Sequence, residues 1–155
     1  MGRLRVMAVA AGTGRIGYVL FVGKTLKHWA MSGKASRSPE FAAAQAKRWI
    51  DELRPDVVIT EKIPEGSRKG ERTRQVIAAV ARVARNRVLN DIVLPRIRTY
   101  KNKYEEAAAL AKRFPEIGPW MPKRPPIWES EPRNAVYIDA LALALGIIDG
   151  SPHQF

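Results

Sequence analysis

Residues 4–22 read LRVMAVAAGTGRIGYVLFV. Leu4–Ala10 is a short apolar run that stops at Gly12-Thr13-Gly14, and Ile16–Val22 is a second such run. Apolar runs of this length bounded by glycine read as buried strands joined by a tight turn. Gly23-Lys24 then turns the chain into a third strand, Thr25–Met31. The three predict an antiparallel meander, since turns this short cannot join parallel neighbours.

Beyond residue 31 the pattern changes period. Ser38-Pro39-Glu40 has the layout of a helix start: a capping hydroxyl, a proline at the first position and an acid in the first turn. Phe41, Ala44, Trp49, Ile50 and Leu53 keep helical spacing until Arg54-Pro55 ends it. Within Asp56–Ile63, Val57-Val58-Ile59 reads as a strand buried on both faces. A helix is expected over Glu71–Leu89, with Ile77, Val80, Ala84 and Val88 on one face. A strand follows over Ile92–Ile97, interrupted by Pro95, and then a helix over Tyr104–Arg113. Phe114–Pro126 is proline-rich and reads as poorly ordered. Arg133–Ile148 closes the chain as an Ala/Leu-rich helix ended by Gly150. A meander followed by alternating helices and strands predicts an α/β layer protein with a mixed sheet, residues 1–150 forming one domain and 151–155 a tail.

The chain has 155 residues, enough for one domain with its own core. Hydrophobic residues make up 46%, too many for a disordered basic tail. Cysteine is absent, which excludes disulfide frameworks, thiolate metal sites and Cys nucleophiles and is compatible with a reducing cytoplasm. The N-terminus lacks a signal-peptide layout, and no run of about 18 apolar residues is present to span a bilayer. A soluble protein without a membrane partner is expected. Lys plus Arg number 27 against 15 Asp plus Glu, a formal net charge of +12. That excess suits a polyanionic partner, nucleic acid before a membrane surface, although a basic surface that merely confers solubility explains the charge equally well.

Two acids stand out by context. Glu61 follows the apolar stretch Val57–Thr60, at the carboxyl end of a strand, the edge where open α/β sheets bind ligands. Asp139 lies in the most apolar helix, between Ile138 and Ala140-Leu141-Ala142-Leu143. An ionised carboxylate there needs a cation, a hydrogen-bond partner or an exit to water. Taken singly, Glu61 reads as an ordinary strand-end acid and Asp139 as solvent-facing or paired with an Arg. Together, carboxylates converging from a sheet edge and a helix suit a hard divalent cation.

Three segments in order resemble the RuvC-type Holliday junction resolvases of the RNase H-like superfamily. Val6–Phe21 resembles their first hairpin, in which strand one ends in an Asp before a glycine-containing turn. Pro55–Glu61 resembles the strand that ends in the catalytic Glu, and Asp139-Ala-Leu-Ala-Leu-Ala-Leu145 resembles the final helix with its Asp-Ala-Leu-Ala signature. The resemblance implies an RNase H-like mixed five-stranded sheet, a meander of three antiparallel strands plus parallel strands, flanked by helices. It also implies a homodimeric, metal-dependent endonuclease of branched or structured DNA, serving recombination and repair. Two Mg²⁺ or Mn²⁺ ions about 3.5–4 Å apart would clamp the attacking water and the leaving oxygen.

The departures concern the carboxylates themselves. Ala10 stands where the first-strand Asp belongs, and Val136 stands one helical turn before Asp139, where the resolvases carry a further Asp. Upstream, Trp128-Glu-Ser-Glu-Pro-Arg133 offers Glu131 as a third acid with Arg133 as its partner. The expected metal ligands are therefore Glu61, Asp139 and Glu131, with Ala10 marking the missing bridge and cleavage impaired by it. The alternative is a non-catalytic nucleic-acid-binding protein that retains the scaffold.

Basic residues cluster after Glu61. Arg68 and Lys69 lie in the loop behind it, and Arg72, Arg74, Arg82 and Arg85 lie on the next helix. Arg96, Arg98, Lys101 and Lys103 extend the patch. They are the candidate phosphate contacts, to DNA ahead of RNA; singly, each reads equally as a solvated charge. Tyr100, Tyr104, Trp120 and Trp128 could stack on bases or pack against the core. His28 and His153 are too isolated for a metal pair. The Gly12-Thr13-Gly14 turn also resembles the phosphate loop of actin-like ATPases, but those need two lobes and this length supplies one.

Overall fold

The structure, a computed structural model, describes residues 3–12, 14–63, 70–87, 90–96, 100–122 and 135–149. β1 (Arg5–Gly12), β2 (Arg15–Val22) and β3 (Thr25–Ser32) form the expected meander. β1 pairs antiparallel with β2 from Arg5↔Val22 to Gly12↔Arg15, and β2 pairs antiparallel with β3. Gly23 takes a positive φ of 62° in the β2–β3 turn, a conformation costly for a residue with a Cβ. β4 (Val57–Lys62) and β5 (Asn90–Pro95) add in parallel on the other side of β1. The five strands lie in the order β3-β2-β1-β4-β5.

Helices cover both faces. α1 (Pro39–Leu53) and α2 (Glu71–Arg87) cover one, and α3 (Lys103–Arg113) and α4 (Val136–Ile148) the other. Alternation along β1 divides its side chains between the layers. Met7, Val9 and Ala11 join the α1/α2 core, while Val6, Ala8 and Ala10 join the α4 core. This double burial explains why the strand reads as a continuous apolar run.

The ends of α1 match their sequence signals. The Ser38 side chain accepts a hydrogen bond from the Phe41 N–H at 3.2 Å, and Arg54 closes the helix in a left-handed conformation ahead of Pro55. Arg5 then donates from its side chain to the Leu53 carbonyl and from its backbone N–H to Asp56 at 2.9 Å, seating β4 against β1.

Several boundaries differ from the sequence reading. Phe41 is 57% exposed, and the buried face of α1 is Ala42, Ala46, Trp49 and Ile50. Glu61 lies inside β4 rather than after it, and β1 runs two residues past Ala10. The stretch after α3 is not poorly ordered up to Met121: Pro115–Trp120 forms a 3-10 helix, and Phe114, Ile117 and Met121 are buried beneath α4. The closing helix starts at Val136. Val88, Ile97, Pro126, Arg133 and Gly150, expected in or at the ends of elements, lie outside the described residues.

Candidate functional site

β1 and β4 run parallel with Val6 beside Val57, Met7 beside Val58 and Ala8 beside Ile59. Continuing that register by two residues sets Ala10 next to Glu61 at the carboxyl end of both strands. Glu61 shares the α4-facing parity of Val57 and Ile59 and is buried, and Ala10 is 1% exposed in the α4 core. The register thus aligns the two positions at one end of the sheet, on the face that the last helix covers.

α4 brings two positions over this end. Val136 is buried against Gly17, which pairs with Ala10 across the β1–β2 ladder; a Cβ on Gly17 would come within 2.9 Å of Val136 Cγ1. Glycine is required there so that the helix can approach the sheet. One turn further, Asp139 is 7% exposed and accepts a hydrogen bond from Arg96 Nε at 2.9 Å. Arg96 follows β5 and has the same parity as Ile92 and Leu94, which pack against the α4 core.

The sequence reading puts Arg96 on the basic surface. Its side chain is instead 4% exposed and reaches a second acid, Glu106 of α3. Nη1 donates to Glu106 Oε2 at 3.1 Å, and Nη2 donates to Oε1 in parallel. Burial alone would make the guanidinium easier to deprotonate. The hydrogen bond to Glu106 and the charge of Asp139 outweigh it and hold Arg96 above its already high value. Glu106 has no sequence signal beyond its place in the first turn of α3.

The described donors fall short of a two-metal carboxylate set. Ala10 and Val136 present hydrocarbon where the resemblance requires acids, and Asp139 is held by a guanidinium. No group of three or more His, Asp or Glu able to hold a metal occurs among the described residues. Glu131 and Arg133 lie outside them.

Of the basic candidates, Arg72, Arg82 and Lys101 are exposed and Arg74 and Lys103 half-buried, while Arg68, Lys69 and Arg98 lie outside the described residues. A cleft of about 530 Å³ opens between the β1–β2 turn and the start of α2. Among the described residues it is lined by Gly12, Gly14, Gly33, Ser36, Arg37, Gly70, Arg72, Thr73 and Val76, none of them acidic. No sequence pattern points to Ser36 and Arg37, which lie about thirty-five residues before Arg72. Among the described residues, no helix is long and apolar enough to cross a membrane.

More than nine-tenths of the chain superposes on solved junction resolvases. RuvC of Thermus thermophilus matches with a TM-score of 0.59 at 18% identity, over 92% of this chain and 92% of that one. The Holliday junction resolvase of fowlpox virus matches with a TM-score of 0.60 at 18% identity, over 94% and 99%. The fold is that of the RuvC-like resolvases. The yeast mitochondrial Holliday junction resolvase is more distant, with a TM-score of 0.51 and 11% identity over 95% of this chain and 78% of that one. No family model and no curated protein sequence matches the chain. Against this fold, the mixed sheet with its meander and two parallel strands is the RNase H-like arrangement expected from the three sequence segments.

Proposed function

We propose that this chain is a RuvC-like protein that engages branched DNA of the Holliday-junction type, with metal-dependent cleavage impaired by its incomplete carboxylate set. The reading is carried by a match to junction resolvases over more than nine-tenths of the chain, combined with an alanine at the β1 position in register with Glu61. The Thermus and fowlpox proteins have both been solved with Holliday junction DNA. The cleft holding Arg37 and Arg72, at the carboxyl end of β1 and without an acid among its described lining residues, supports a phosphate-contacting surface at the same end of the sheet. In this reading Glu61, Asp139 and Glu131 are what remains of the hydrolytic set, Mg²⁺ or Mn²⁺ is its cofactor, and Arg68, Lys69, Arg72, Arg74, Arg82, Arg98, Lys101 and Lys103 contact the phosphates. Two copies would match the two-fold symmetry of a four-way junction.

The engagement of Asp139 by Arg96 favours a second reading, a junction-binding protein with no cleavage. A four-way junction labelled on each strand and incubated with Mn²⁺ separates them. Slow strand scission lost in Glu61→Gln supports the impaired nuclease, and retention of the junction without scission supports the binder. Failure to bind the junction in preference to linear duplex removes both.

A further inference from the structure

We infer that Arg96 is a resident cation standing in for a divalent ion at Asp139, so that this carboxylate is a fixed structural anion rather than a metal ligand. The inference rests on the second reading above, a junction-binding protein with no cleavage, since it takes Asp139 out of the hydrolytic set.

Three elements converge on the guanidinium. It leaves the end of β5, receives Asp139 from α4 on Nε and receives both oxygens of Glu106 from α3 on Nη1 and Nη2. A planar fork with one carboxylate across its end and another at its side is the arrangement in which arginine binds acids most tightly. Arginine cannot relinquish its charge at any ordinary pH. A divalent ion approaching Asp139 Oδ1 must therefore expel the guanidinium or sit beside a buried like charge, and the low polarity of the site magnifies that repulsion. The two neighbouring positions cannot offset this. Ala10 and Val136 are packed hydrocarbon and contribute no oxygen to a coordination sphere. Glu106 completes the pattern, because a metal site needs no acid on the far side of an arginine, whereas a buried arginine serving two anions does.

The consequence for restoration is specific. Supplying the missing carboxylate at position 10 is not sufficient, since Asp139 remains engaged; the arginine must be removed as well. Isothermal titration of Mn²⁺ into the full chain tests this. Wild type and Asp139→Asn are expected to give the same titration, and Ala10→Asp to bind no more than threefold more tightly than wild type. Ala10→Asp combined with Arg96→Gln is expected to bind at least tenfold more tightly than Ala10→Asp, with the gain lost on adding Asp139→Asn. Equal affinity of Ala10→Asp and Ala10→Asp/Arg96→Gln overturns the inference, as does a wild-type site lost in Asp139→Asn.

Because Arg96→Gln leaves two buried acids and puts folding at risk, a measurement on the unmodified protein stands beside it. Saturating Mg²⁺, a diamagnetic ion, is expected to leave the side-chain carboxylate ¹³C resonance of Asp139 unshifted, and a selective shift there overturns the inference. Junction binding in a chelator is read separately. Its absence refutes the proposed function, while the Mn²⁺ and Mg²⁺ measurements alone decide the role of Arg96.

Discussion

Arg96 is a buried cation shared by two buried acids at this end of the sheet. Truncating it to Met leaves Asp139 and Glu106 buried without their shared cation, and breaking a buried pair from one side costs about 3–5 kcal/mol. Urea denaturation of Arg96→Met is expected to show a loss of that size, and a loss below about 1 kcal/mol would place the guanidinium in solvent. Gly17 makes a second claim at this scale. Its replacement by Ala drives a methyl into Val136 Cγ1, and overpacking of this kind costs about 1–3 kcal/mol. Gly17→Ala is expected to be rescued in large part by Val136→Ala, a coupling that a double-mutant cycle reads directly. Neither relation is legible in the sequence. Arg96 lies 43 residues from Asp139 and 10 from Glu106, so no helical or strand period links the three. Glu61 and Asp139 can be singled out because each interrupts an apolar run. Arg96 also falls inside an expected strand, Ile92–Ile97, but next to Pro95 and among Arg98, Lys101 and Lys103 it looks like one more surface charge.

Elements are legible wherever local chemistry and tertiary packing agree. The meander follows from apolar runs punctuated by Gly12-Thr13-Gly14 and Gly23-Lys24, and α1 from its Ser-Pro-Glu start and its Arg-Pro end. The segment after α3 misleads because prolines at 115 and 119 suggest disorder, whereas the burial of Phe114, Ile117 and Met121 against α4 organises it into a 3-10 helix. Phe41 shows the converse. It keeps helical spacing with Trp49 but is not on the buried face, which begins one residue later at Ala42. The α1 end also carries a removable strain, since Arg54 holds φ at 48° and ψ at 58°. Left-handed backbone disfavours a side chain by about 1–2 kcal/mol, partly offset by the greater freedom of glycine in the unfolded chain. Arg54→Gly is therefore expected to raise stability by up to about 1 kcal/mol, measured as a higher urea midpoint at unchanged slope. A lower midpoint would show that the Arg54 side chain contributes more than its backbone costs.

At the scale of the whole molecule, one end of the sheet gathers the features that bear on function. β1 and β4 deliver Ala10 and Glu61 there on the α4 side, and on the opposite side the cleft with Arg37 and Arg72 opens beside the β1–β2 turn. A basic surface that reads phosphates has a measurable signature, because each phosphate neutralised by a side chain adds about 0.9 to the slope of log affinity against log salt. Arg72→Ala with Arg82→Ala is expected to flatten that slope by about 1.8, and an unchanged slope would make both residues solvated bystanders.

The central claim is that this chain engages branched DNA despite its incomplete carboxylate set, and fluorescence anisotropy in excess chelator tests it most directly. A labelled four-way junction and a linear duplex of equal length would be titrated with the unmodified protein at one salt concentration. The account expects at least a tenfold preference for the junction, unchanged when Mg²⁺ is restored. Equal affinity for the two DNAs, or a preference that emerges only with the metal, would contradict it.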